Sequence, residues 1–250
     1  MNVIGPAGLP LPSRYVLPLI ERRVESPSVR TFRFATTGTG FRYLSNQAIR
    51  LSLPGVDDPW GAVRTFSLSS SPSEPDQLSV TCKITDTPLK QALDQLSPGA
   101  TAHVYGPIGR FLFEADRPAL FLAGGIGISP FRGMLRYAAD SGAARPYTLL
   151  YSARVPEEFV FRDELDTLAR DRSNVAVHYT VTRPRESSAD WRGRVGRIDR
   201  AWLEEHGHLD RHPRCYVAGL PEMVVATVAL LTETLGVPVD DVDYEVFRGF

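Results

Sequence analysis

The chain has 250 residues, of which 43% are hydrophobic and 23% are charged, and its formal net charge is −1. This composition is typical of a globular protein with one large or two smaller domains, and the near-neutral charge does not favour nucleic acid as a partner. Its two cysteines, Cys82 and Cys215, are too few for an iron–sulfur cluster or a four-thiolate zinc site, so any redox chemistry must come from an organic cofactor.

The N-terminal segment, residues 1–13, is interpreted as a flexible tail. It lacks the charged and apolar regions of a signal peptide, and no apolar run of the chain is long enough to span a bilayer. We therefore predict a cytoplasmic protein without membrane insertion. The five histidines show no ligand spacing, so no metal site is predicted.

From Arg14 to about Phe113 the pattern indicates short β-strands separated by turn residues. The predicted strands are Val16–Val24, Val29–Ala35, Ala48–Leu53, Thr65–Ser70, Leu78–Ile84 and Ala102–Tyr105. One short helix is predicted over Pro88–Leu96, with Thr87 as its N-cap and Pro88 at its first position. Six short strands at this spacing favour a small antiparallel barrel.

The segment RTFSLSS, residues 64–70, places Arg64 and Phe66 on one face of a predicted strand. Arginine binds phosphate in a bidentate manner and a ring offers a stacking face, so this pair suits a ligand with a phosphate and a flat heterocycle. Ser67 can hydrogen-bond the edge of such a heterocycle. An edge strand with an exposed arginine and a core phenylalanine is the alternative interpretation.

Beyond residues 116–118 predicted strands and helices alternate, which favours a doubly wound, mainly parallel sheet. The predicted strands are Ala119–Ala123, Tyr147–Tyr151, Val175–Val181, Cys215–Ala218 and Val242–Phe247. The predicted helices are Ser129–Ala139, Glu157–Arg170, Asp199–His206 and Pro221–Leu235. Ligands of such sheets bind beyond the carboxyl ends of the strands, where Gly124–Ser129, Ser152–Arg154 and Gly219–Met223 are expected.

The stretch Ala119–Ala139 is typical of a strand, a glycine turn and a helix, with Ser129 as helix cap and Pro130 in the first turn. Such a turn exposes backbone N–H groups to a phosphate, which favours a nucleotide pyrophosphate. A glycine turn without a ligand is the alternative. If the nucleotide carries a 2′-phosphate, Arg154 is the first candidate partner and Arg183 the second, although either can be an ordinary surface arginine.

Four motifs, in order, resemble those of the ferredoxin–NADP reductase-like family. Arg64–Ser70 resembles its R-x-[YF]-S-x-x-S flavin motif, and Gly125–Pro130 resembles its G-x-G-x-x-P nucleotide motif. Ala218–Met223 is similar to its C-G-P-x-x-M segment, and Glu245–Phe250 to its E-x-[FY]-x-G-[YF] ending. The resemblance extends from about Arg14 to the end and implies a member of the family without an iron–sulfur domain.

The resemblance implies two domains: an N-terminal antiparallel flavin-binding β-barrel over residues 14–115, and a C-terminal NAD(P)-binding α/β domain with a doubly wound parallel sheet over residues 116–250. It implies an FAD-dependent NAD(P)H oxidoreductase, with FAD favoured over FMN and with NADPH or NADH as the donor. The expected acceptor is a small redox protein such as ferredoxin or flavodoxin, or an oxygenase component. A flavin or ferric reductase with a diffusible acceptor is the alternative, and a non-catalytic docking subunit is a third hypothesis.

The resemblance also assigns site residues. Arg64 is expected to hold the flavin phosphate and Phe66 to stack on the isoalloxazine, while Ser67 and Glu245 are the predicted catalytic residues that orient the flavin edge and assist proton traffic. The full flavin set is Arg64, Thr65, Phe66, Ser67, Thr81, Cys82, Lys83, Thr87, Phe247 and Phe250. The nicotinamide-nucleotide set is Gly125, Gly127, Ile128, Ser129, Pro130, Ser152, Arg154, Gly219, Leu220, Pro221 and Met223.

The chain departs from the family pattern at three places, one of which, Ser45–Gln47 in place of P-G-Q, carries no inference. Many relatives carry G-x-x-S before the short helix, where this chain has the segment Thr85–Lys90. The only two lysines of the chain lie here, Lys83 just before this segment and Lys90 at its end. Ala218 stands where relatives often have a cysteine, which removes any thiol role there. Which of the two C-terminal phenylalanines covers the flavin is left open.

Overall fold

A computed structural model describes residues 11–59, 61–109 and 111–247. They form two compact units. The first contains the described chain as far as Phe113 together with Arg132–Tyr137, and the second contains Glu114–Phe131 and the described chain from Ala138 onward. Most of the predicted tail lies outside the described residues, and the predicted domain boundary after residue 115 stays a prediction.

The first unit is built on a six-stranded antiparallel sheet with the order β4-β3-β6-β1-β2-β5. Its elements are β1 (Ser13–Ser26), β2 (Val29–Ala35), β3 (Ala48–Ser52), β4 (Arg64–Ser67), β5 (Gln77–Lys83), α1 (Pro88–Asp94) and β6 (Thr101–Ile108). A bridge between Leu68 and Val80 joins the two edge strands, so the sheet is a nearly closed barrel. The predicted barrel is therefore confirmed.

Alternation along each strand explains the barrel core. In β3, Ile49 and Leu51 are fully buried whereas Arg50 between them is exposed, because successive side chains of a strand point to opposite faces. Phe32 and Phe34 of β2 are likewise fully buried. Each large apolar side chain buried in this way contributes about 1.5–3 kcal/mol relative to its exposed state.

The second unit is built on a six-stranded parallel sheet with the order β10-β9-β8-β7-β11-β12. Its strands are β7 (Ala119–Gly124), β8 (Tyr147–Ala153), β9 (Val175–Val181), β10 (Arg194–Val195), β11 (Arg214–Gly219) and β12 (Val242–Val246). The helices that alternate with them are α2 (Ile128–Asp140), α3 (Arg162–Asp171), α4 (Arg200–His206) and α5 (Pro221–Ala229). The strand order reverses between β7 and β11, which makes the carboxyl ends of these two strands the topological switch point.

Two predicted helices of the second unit were wrong in part, and one short strand was missed. Helix α3 begins at Arg162 and not at residue 157, because Pro156–Glu158 forms a separate 3₁₀ turn and Phe161 has a left-handed φ of 61°. Helix α5 ends at Ala229, and Leu230–Thr234 continues as a π-helix. The two-residue strand β10 was missed, since so short a strand leaves no alternation to detect.

Candidate functional site

The first unit gathers several predicted flavin residues around Phe66. Arg64 and Phe66 are both buried on one face of β4, because alternate residues of a strand share a face, and Phe66 packs in the barrel core with Ile49 and Leu51. The Nζ atom of Lys90 lies 5.3 Å from the centroid of the Phe66 ring. An ammonium group is thus placed over the ring that the family resemblance assigns to flavin stacking.

Arg64 is held by a carboxylate that the sequence analysis did not single out. Its Nη2 donates to Oδ2 of Asp58 at 3.0 Å, and the Asp58 side chain is completely buried. The same oxygen accepts the backbone N–H of Leu89, at 3.2 Å, in the first turn of α1. Thr87 occupies the N-cap position as predicted, but its side chain makes no capping hydrogen bond, so Asp58 performs that role.

The other predicted flavin residues of the first unit differ in exposure. Thr81 is buried, and its hydroxyl donates to Oγ of Ser69 at 2.7 Å. Ser67 is also buried, whereas Thr65 and Lys83 are exposed. A flavin contact at Thr81 therefore has to compete with an existing hydrogen bond, while the two exposed side chains are accessible as they stand.

The second unit aligns its predicted ligand residues at the carboxyl edge of the parallel sheet. Gly124 pairs with Ser152 of β8, and Ala218 pairs with Ala123 of β7 on one side and with Glu245 of β12 on the other. Segments that are far apart in sequence therefore end side by side. This edge is where open α/β sheets bind their ligands.

Steric constraints require glycine at two positions of the turn after β7. Gly125 has a φ of +53°, a left-handed conformation that L side chains rarely adopt. A Cβ placed on Gly127 would overlap the carbonyl oxygen of Ala218, so the turn and the end of β11 approach more closely than any side chain permits. The turn forms a 3₁₀ segment, Gly125–Gly127, that leads into α2.

Ser129 does not cap helix α2, contrary to prediction. It is the second residue of the helix, and its hydroxyl donates to the carbonyl oxygen of Ile126 at 2.8 Å. The cap position of the preceding 3₁₀ segment belongs to Gly124. Ile128 and Pro130 are buried, so these two positions present backbone and not side chains to a ligand.

Met223 packs against the glycines at the switch point. A Cβ built on Gly219 would lie 3.1 Å from the Met223 sulfur, and one built on Gly124 would lie 3.2 Å from it. Leu220, by contrast, is 58% exposed, and Pro221 beside it is exposed as well. The segment after β11 thus combines a packed methionine with accessible apolar side chains, which suits contact with a flat ligand.

Arg154 and Arg183, the two candidates for a 2′-phosphate, bind the same carboxylate. Glu186 accepts from Nη2 of Arg154 at 2.7 Å and from Nη1 of Arg183 at 3.1 Å. These two hydrogen bonds, the Arg154 one first, hold the pKa of Glu186 below its usual value. All three side chains are about half exposed. The two guanidinium groups are thus already convergent on an anion.

The C-terminal segment is described as far as Phe247. The backbone N–H of Phe247 donates to the carbonyl oxygen of Gly219 at 2.8 Å, and this bond continues the pairing of β12 with β11. Glu245 and Phe247 are partly exposed. Phe250 lies outside the described residues, so the choice between the two phenylalanines stays open.

Neither thiol is placed for chemistry. Cys82 and Cys215 are buried, and this burial raises the pKa of both, that of Cys215 to about 12. Both thiols therefore stay protonated at neutral pH. In the described part of the chain, no three His, Cys, Asp or Glu side chains are grouped to hold a metal ion. The helices within the same ranges are all too short or too polar to cross a membrane.

Two family models match the two halves of the chain. The oxidoreductase FAD-binding domain matches residues 16–113, and the oxidoreductase NAD-binding domain matches residues 121–229. The ferredoxin--NADP reductase B of Sorangium cellulosum is 34% identical over 231 residues, which cover 88% of this chain and 92% of that protein. The chain belongs to the ferredoxin–NADP reductase-like family. Its cofactors are FAD and NAD(P)H, and it is an FAD-dependent NAD(P)H oxidoreductase, as the sequence analysis predicted.

Two further comparisons define the limits of the similarity. The glycine betaine monooxygenase reductase subunit of Chromohalobacter salexigens is 32% identical over 186 residues, which cover 72% of this chain but only 50% of that protein. The chain therefore spans about half the length of this relative. A ferredoxin NADP+ reductase from Neisseria gonorrhoeae, solved with bound FAD and NADP, has the same fold, with a TM-score of 0.73 over 95% of this chain and 99% of that one at 22% identity.

Proposed function

We propose that this reductase passes electrons from NADPH or NADH, through bound FAD, to a small redox protein or an oxygenase component. The observation that carries the proposal is the 34% identity to a ferredoxin--NADP reductase over 92% of that protein's length. The similarity to a monooxygenase reductase subunit supports the same kind of partner. Ferredoxin, flavodoxin and an oxygenase component are the candidate acceptors.

The residues of the first unit bind and orient the flavin in this proposal. Arg64 contributes a guanidinium group that is already fixed by Asp58, and Phe66 contributes a ring beside it. When bound, FAD supplies the conversion of two-electron donation by the nicotinamide into one-electron delivery to the acceptor. In its predicted role Ser67 hydrogen-bonds the flavin edge and assists proton traffic, and no residue of this unit needs to act as a strong acid or base.

The residues of the second unit bind the nicotinamide nucleotide. Gly125 and Gly127 form a turn whose backbone N–H groups and following helix favour an anionic pyrophosphate. The accessible side chains of Leu220 and Pro221 contact the nucleotide at the end of β11. Glu245, at the same edge of the sheet, is the proposed carrier of a proton.

The decisive test is the absorbance spectrum of the purified protein before and after anaerobic addition of NADPH or NADH. We expect a flavin spectrum that bleaches, and the faster donor identifies the preferred nucleotide. A flavin that does not bleach contradicts the assignment of the second unit, and a colourless protein that does not bind added FAD supports a non-catalytic docking subunit instead.

The acceptor is tested separately. Under the proposal, reduced protein with tightly bound FAD is reoxidised faster by a ferredoxin or flavodoxin than by free flavin or a ferric complex. The reverse order supports a flavin or ferric reductase. The cytoplasmic location belongs to the same proposal and is tested by cell fractionation.

Replacing Arg154 with alanine is expected to raise the KM for NADPH about tenfold and to leave the KM for NADH nearly unchanged. The reason is that Arg154 converges with Arg183 on one anion, Glu186, and only NADPH brings a 2′-phosphate that can take the place of that carboxylate. A tenfold change corresponds to about 1.4 kcal/mol, within the range of a charge-assisted hydrogen bond. Steady-state kinetics with both donors measure it.

Arg192→Ala is the matched control, because Arg192 lies in the loop after β9 that also carries Arg183 and Glu186, but its side chain is 89% exposed and pairs with Asp190. It should change neither KM. Equal increases for both donors in the Arg154 variant would remove the 2′-phosphate role.

A further inference from the structure

Lys90 is a buried ammonium group with few partners. It is one of two lysines in the chain and only 6% exposed. Its Nζ donates to the carbonyl oxygen of Lys83 at 3.1 Å. Among the described residues no carboxylate forms an ion pair with it. An ammonium group carries three N–H donors, so this environment provides neither a full set of strong acceptors nor a balancing charge.

Such an arrangement is costly unless an anion completes it. Burying an ammonium away from water is strongly unfavourable unless the charge is paired and hydrogen-bonded. The Phe66 ring, 5.3 Å from Nζ, offsets part of this cost through its π face. The remaining charge is the reason to expect a ligand anion at Lys90.

The surroundings of Lys90 indicate which anion. Phe66 lies on the same face of β4 as Arg64, and Asp58 joins Arg64 to the backbone of Leu89, the residue before Lys90. The charges of Arg64 and Asp58 cancel, so Lys90 is the uncompensated cation of this cluster. The cluster therefore carries one net positive charge next to an aromatic ring, a combination that matches a flavin bearing phosphate groups.

We propose that Lys90 binds the pyrophosphate of FAD. The inference rests on the proposed function, because it requires FAD as the ligand. It deepens that function by assigning a cation other than Arg64 to the phosphate groups.

The test is a titration of the flavin-free protein with FAD and with riboflavin, which has the same ring system but no phosphate, followed by protein fluorescence. Lys90→Met keeps the apolar stem and removes the charge. We expect it to weaken FAD binding 10- to 100-fold, to leave riboflavin binding unchanged and to lower the dependence of FAD affinity on salt concentration. Lys90→Arg should restore most of the FAD affinity.

Arg170→Met is the matched control, since it removes the same charge from an exposed position on α3 of the second unit. It should leave both affinities unchanged. The proposal is overturned if Lys90→Met weakens FAD and riboflavin equally, or if it weakens neither. A thermal melt of each flavin-free variant verifies folding. If the Lys90→Met protein does not fold, the Lys90→Arg variant provides the test in its place. Weaker riboflavin binding by Lys90→Arg than by the wild-type protein also overturns the proposal. A wild-type protein that binds neither flavin contradicts the proposed function itself.

Discussion

Replacing Asp58 with asparagine is expected to lower the free energy of unfolding by about 3–5 kcal/mol, the range for removing one partner of a buried ion pair. The Asp58 side chain is fully buried and the Arg64 side chain is 9% exposed. Asparagine can still accept the N–H of Leu89, but it leaves the guanidinium without its counter-charge. Equilibrium urea unfolding of the flavin-free protein measures the change.

Asp57→Asn is the control for this substitution, because Asp57 precedes Asp58 in the same loop but is exposed. It should change the stability by less than about 0.5 kcal/mol. Arg64→Met, alone and combined with Asp58→Asn, completes a double-mutant cycle. The double variant should be less destabilised than the sum of the two single variants, and strict additivity would show that the pair is not coupled.

Replacing Gly127 with alanine is expected to destabilise the second unit by about 3 kcal/mol and to abolish detectable NAD(P)H binding. A methyl group at this position would overlap the carbonyl oxygen of Ala218, and both partners are backbone, so neither can move without displacing β11 or the start of α2. Urea unfolding measures the stability. Titration with the oxidised nucleotide, followed by flavin absorbance, measures the binding.

Gly142→Ala provides the comparison. Gly142 follows the end of α2 and has a φ of +69°, and no atom lies within 4 Å of the position of its Cβ. Alanine there adds only the backbone strain of a left-handed residue, about 1 kcal/mol, and should leave nucleotide binding intact. Equal effects of the two substitutions would indicate that the close approach at Gly127 has no special role.

Local sequence patterns predicted most helices and strands, because the formation of these elements depends mainly on residues that are neighbours in the sequence. Val29–Ala35 and Val175–Val181 were predicted with the bounds that the structure has, since continuous or alternating apolar residues flanked by turns need no distant information. The glycine turn before α2 was recognised for the same reason. Helix α3 was predicted five residues too early, because a 3₁₀ turn and a left-handed residue interrupt an otherwise helical pattern.

The motifs of the candidate site were also readable in the sequence, whereas their partners were not. Arg64 was singled out, but its contact with Asp58 depends on how the loop between β3 and β4 folds. Arg154 and Arg183 were both predicted as candidates, but the sequence did not indicate that they share the carboxylate of Glu186. That contact depends on how the end of β8 packs against the loop after β9.

The sequence by itself determined the family, the two-domain fold and the cofactors, because short segments carry the flavin and nucleotide motifs in a fixed order. Only the tertiary structure decided which charges are paired and which are not. It placed Asp58 against residues 6 and 31 positions further along the chain, and it left Lys90 buried without an ion-pair partner among the described residues. Strand register and loop packing set such contacts, and no local pattern of residue types encodes them.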